Sequence, residues 1–95
     1  MGIREEISEN YDGIVFALGF DRACIGVSYK DTGHVACYDI DMCIEVLMEE
    51  GMSDGDAREY FEYNVVGAYI GNSTPVFIER FSTGILTLLG EKENE

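Results

Sequence analysis

The sequence predicts one small α+β domain: a small antiparallel sheet of three to five strands packed against an αα-hairpin, with a short N-terminal helix. Three observations lead there. β-Branched and aromatic runs broken by glycine-containing turns fill residues 14–38, two helically spaced apolar stripes follow between 40 and 68, and 95 residues suffice for one core but not two. A hydrophobic content of 46% with one proline supports a packed chain rather than a disordered one. Residues 1–90 are read as the domain and 91–95, Glu-Lys-Glu-Asn-Glu, as a charged tail.

Ile3, Ile7 and Tyr11 recur every four residues among Arg4, Glu5, Glu6 and Glu9, which predicts the first helix; Asp12-Gly13 ends it. Residues 14–18, 24–29 and 35–38 are runs of strand length joined by short turns. Short turns favour antiparallel neighbours, since a parallel pair needs a long crossover.

Ile40, Cys43, Ile44, Leu47 and Met48 then fall at helical spacing, with Asp39 as N-cap and Gly51 as the stop. Ser53 caps a second helix, whose stripe is Ala57, Tyr60, Phe61, Asn64, Val65 and Ala68. Asn64 stands out on that stripe, and a buried amide there would bond to backbone near Gly67 and Gly71. Asn72-Ser73-Thr74-Pro75 makes a turn, and Val76-Phe77-Ile78 begins another strand. Residues 85–89 form a last apolar run that fits either a strand or a helix, and that could seal a homodimer.

Nineteen Asp and Glu against six Lys and Arg give a formal charge of −13. Direct binding to DNA, RNA or an anionic membrane is therefore not expected, because each needs a basic footprint. Solvation, adaptation to high salt, or an acidic face for a basic protein partner would each explain the excess. The last reading has an address: Asp41, Glu45, Glu49 and Glu50 on the first long helix, with Asp54, Glu59 and Glu62 on the next. No run approaches the roughly 20 apolar residues of a membrane span, and the start lacks the order of a signal peptide, so a cytoplasmic location is expected.

Recognisable catalytic chemistry is sparse. His34 is the one histidine, and no serine or cysteine sits in a nucleophile elbow. Cys24, His34, Cys37 and Cys43 could supply four zinc ligands, but His34 and Cys37 are three apart on a strand and point to opposite faces. Asp39, Asp41 and Glu45 are explained by a cap and a solvated helix face, without the glycine-kinked loop of a calcium site. The eleven glycines form no dinucleotide or P-loop motif. Hence no catalytic residue, metal or cofactor is assigned, and an enzyme is not the expected reading.

Tyr38-Asp39, Cys43-Ile44-Glu45, Gly51-Met52-Ser53, Glu59-Tyr60-Phe61-Glu62-Tyr63-Asn64-Val65-Val66-Gly67-Ala68-Tyr69 and Thr74-Pro75-Val76-Phe77, with the upstream Phe20-Asp21-Arg22-Ala23-Cys24-Ile25-Gly26-Val27, carry a resemblance. Over about residues 3–80 the chain resembles a group of small, uncharacterised proteins of tailed bacteriophages and prophages. The resemblance implies a phage-encoded accessory protein acting in the host cytoplasm, and carries no functional residues with it. Two functions follow as expectations. One is a non-enzymatic interaction protein that docks the acidic helical face on a basic host-protein surface, anti-defence roles included. The alternative is a small-ligand, nucleotide-like binding or sequestering protein with a pocket lined by Tyr38, Tyr60, Asn64 and Tyr69.

Overall fold

The computed structural model describes residues 2–31, 33–68 and 71–81. Helix α1 (Ile3–Asn10) leads through an extended segment and a 3₁₀ turn (Asp21–Ala23) into strand β1 (Cys24–Lys30) and its partner β2 (Gly33–Asp39). Helices α2 (Ile40–Glu49) and α3 (Asp54–Tyr60) follow, then a π-helical turn (Phe61–Val66), a 3₁₀ turn (Gly71–Ser73) and strand β3 (Val76–Ile78). The class is α+β, with helices packed on a small sheet and a short helix at the N-terminus.

The sheet order is β1-β2-β3, and it is mixed rather than wholly antiparallel. β1 and β2 form the expected antiparallel hairpin, closed between Lys30 and Gly33, where Gly33 takes a φ of +125° that favours glycine. β3 instead lies parallel to β2, with Ile78 opposite Asp39. The whole helical hairpin is the connection between them, which supplies the long crossover a parallel pair requires.

The strand expected at 14–18 does not join this sheet. Residues 14–17 are half-buried and pack toward the core without the alternation of a ladder strand, while Leu18 is 87% exposed. The amide of Ala17 donates to the Tyr38 hydroxyl at 2.7 Å, so a side chain does what a neighbouring strand would have done. The Arg4 guanidinium covers the Phe16 ring at 4.9 Å.

Both helix caps match the sequence reading. Asp39 accepts from the Met42 amide at 3.0 Å, and Ser53 accepts from the Asp56 amide at 3.1 Å. Gly51, at φ +112°, ends α2 and returns its amide to the Met48 carbonyl. Cys43, Ile44 and Leu47 carry the buried face of α2 into a core with Ile7, Phe20, Ala23, Cys24, Ala36, Tyr38, Ala57 and Phe61. Met48, expected on that face, lies at its edge and is exposed.

The second helix departs from its expected register. α-Helical bonding stops at Tyr60, and the π turn that follows bonds i to i+5. Ala57 and Phe61 stay buried and Val65 packs against the core, so every fourth residue keeps facing inward, whereas Tyr60, Asn64 and Ala68 are exposed. Residues 85–89 and the tail at 91–95 lie outside the described residues.

All three cysteines are free and buried. Burial pushes the Cys24 and Cys37 thiols up, and Cys43 up to about 12, with the Asp39 charge adding to the last. Reaction of the native protein with Ellman's reagent at pH 8 should therefore be slow at all three thiols, and complete within the mixing time in denaturant. A native thiol that reacts as fast as free cysteine would contradict this packing.

Candidate functional site

On α2, Asp41, Glu45 and Glu49 stand at i, i+4 and i+8, so one line of carboxylates runs along the solvent side of a helix whose other side is buried. The 3₁₀ turn before β1 sends Arg22 to this line, where it meets Glu49 at 2.9 Å and Glu45 at 3.9 Å. On α3, Arg58 pairs with Asp54 at 3.2 Å one helical turn away. Glu50 follows α2, while Glu59 and Glu62 project from α3 and the π turn. All seven carboxylates singled out in the sequence are exposed. Asp41, Glu50, Glu59 and Glu62 make no ion pair with any described residue.

Beside them runs an apolar groove of about 480 Å³ between α2, the π turn and β3. Ile40 and Ile44 form one wall, Phe61 and Val66 another and Pro75 to Phe77 the third, with Arg58 and Glu62 on the lip. The π turn explains why Phe61 and Val66 share a groove, since residues five apart face alike there. On the far side of the same turn, Asn64 and Val65 line a smaller apolar cavity of about 230 Å³ against Phe16, Phe20 and Phe77.

The four residues of the expected ligand pocket are not brought together. Tyr38 has no exposed surface: its hydroxyl is used by Ala17, its ring lies 5.6 Å from Phe77, and burial pushes its phenol up to about 12 despite that hydrogen bond. Tyr60 faces outward on α3, Asn64 lines the smaller cavity, and Tyr69 lies outside the described residues. Tyr60 is on α3 and Asn64 is within the π turn, and the cavity that Asn64 lines does not include Tyr60.

His34 sits at the start of β2 with its ring 4.3 Å from Tyr11 and 5.2 Å from Tyr29. Among the described residues, no group of three or more His, Cys, Asp or Glu is arranged to hold a metal. No described helix is long and apolar enough to cross a membrane.

Two features escaped the sequence reading. Arg80 reaches back to Asp39 at 2.6 Å, across a separation of 41 residues. Arg22 braces α2 from outside it. Their only sequence signal is the scarcity of cations, six against nineteen acids, which gives every arginine several carboxylates to choose from. No protein-family model matches the chain, and neither a curated protein nor a solved structure does.

Proposed function

We propose that this chain is a phage-type accessory protein that works without catalysis, docking its acidic helical face on a basic surface of a host protein in the cytoplasm. The observation that supports this reading is the standing of the seven carboxylates. They are exposed on α2, α3 and the turns that follow each of them, and Asp41, Glu50, Glu59 and Glu62 have no cation opposite them among the described residues. A net charge of −13 speeds encounter with a cationic surface and disfavours nucleic acid and anionic lipid. Anti-defence action is one role such a factor fills.

The test is affinity capture from host lysate with the wild type and a Glu45→Lys/Glu49→Lys/Glu59→Lys/Glu62→Lys variant side by side. The expected result is a discrete partner retained at about 0.15 M salt, released as screening tightens toward 1 M, and lost with the variant. Recovery of the same abundant proteins by both chains, indifferent to salt, would sink the reading.

A further inference from the structure

We infer that the groove between α2, the π turn and β3 is the anchor point of this docking surface, and that it takes the apolar face of a short basic amphipathic segment of the partner. The inference rests on the docking reading above and adds the chemistry of what is bound. The groove is continuous with two of the carboxylates, Glu59 and Glu62: a shallower cleft shares Arg58 and Glu62 with the groove and adds Glu59 and Tyr63.

Among the described residues, Arg58 is engaged by Asp54 and Arg80 by Asp39, whereas Glu59 and Glu62 have no cation partner. An occupant must therefore bring positive charge to the lip. It must also bring apolar side chains, because Val66 is 43% exposed on the groove wall and Tyr63 is 77% exposed in the adjoining cleft. An aromatic ring beside two carboxylates suits lysine or arginine by cation–π attraction together with charge-assisted hydrogen bonds. A volume of about 480 Å³ falls within the range that buries a drug-sized ligand, enough for neighbouring anchors of one helix face. A second copy of this chain is a poor occupant, since it brings another −13 to the same acidic lip.

The probe is a fluorescein-labelled 14-residue peptide of leucine and lysine with its leucines at i, i+3, i+4 and i+7. A control peptide carries serine in place of every leucine. Both are titrated by fluorescence anisotropy against the full chain at about 0.1 M salt. The leucine peptide is expected to bind at least tenfold tighter than the serine peptide. Val66→Glu should erase that advantage without weakening the serine peptide, since the added carboxylate also attracts lysine, and Glu62→Lys should weaken both. Tyr63→Ala, on an exposed side chain, should cost the leucine peptide about threefold, and decides the matter should Val66→Glu fail to fold.

Equal binding of the two peptides, weakened by Glu62→Lys, would remove the groove from the account and leave the acidic docking face standing. Failure of both peptides to bind would overturn both. A dimer by light scattering that Val66→Glu dissociates would assign the groove to a second copy, and a tenfold gain in peptide affinity on Leu88→Asp would assign it to the chain's own 85–89 run. Either result overturns the proposal.

Discussion

Replacing Phe61 by alanine is expected to lower the unfolding free energy by about 3–5 kcal/mol, the range for deleting a buried phenylalanine. Phe61 is almost wholly buried in the core and meets Phe77 edge to face at 5.2 Å. It is also the first residue of the π turn, the point where α3 changes its bonding pattern. Its ring thus holds three things at once: α3, the turn that shapes the groove, and β3, whose short ladder to β2 has only three residue pairs. Against a total stability of roughly 5–15 kcal/mol for such a domain, the loss should depress Tm by more than about 10 °C. Urea denaturation of Phe61→Ala and of Tyr63→Ala measures it. The exposed Tyr63 should change stability by no more than about 0.5 kcal/mol. Equal effects from the two would mean that Phe61 is not the joint described.

The contrast between these two residues also marks how far the sequence can be read. Neighbours within one helical turn are legible. The caps at Asp39 and Ser53, the buried face of α2 and the β1/β2 hairpin are each specified by residues three or four apart, and the structure keeps them. The acidic face belongs to the same class, because solvent exposure of charge on an amphipathic helix follows directly from its stripe.

What failed depends on partners distant in sequence. Residues 14–18 have strand composition, yet the amide that mattered found the Tyr38 hydroxyl, 21 residues on, instead of a neighbouring strand. The π turn carries no composition signal of its own, and the expected pocket fails because Tyr38 is wholly buried with its hydroxyl bonded to Ala17, while Tyr60 is exposed and Asn64 lines a separate cavity. The groove needed β3 to be placed beside α2, and a parallel pairing across the whole helical hairpin is a tertiary fact.

Asp39 joins the legible and the illegible parts, and its titration gives the second large effect. Its carboxylate ends β2, caps α2 through the Met42 amide and accepts from Arg80 just beyond β3, while only 5% of its side chain is exposed. Burial alone would raise its pKa, but the hydrogen bonds from Met42 and Arg80 and the Arg80 charge outweigh that and hold it below the ordinary carboxylate value. A carboxylate depressed in the folded state contributes stability above its unfolded pKa of about 3.9, and loses that contribution as pH falls through the lower folded value. Asp39→Ala removes cap and ion pair together and should cost about 2–4 kcal/mol at pH 7. Asp39→Asn keeps an acceptor for Met42 and loses the charge, and because Arg80 is more than half exposed its cost is smaller, about 1–2 kcal/mol. The chain carries eighteen other Asp and Glu residues, so the informative quantity is the stability difference between wild type and Asp39→Asn, measured by urea unfolding from pH 7 to pH 2. That difference should be flat above about pH 5 and shrink toward zero below about pH 4. A difference that persists unchanged to pH 2 would mean that Asp39 acts by shape alone and that the Arg80 pair does not fasten β3 to the start of α2.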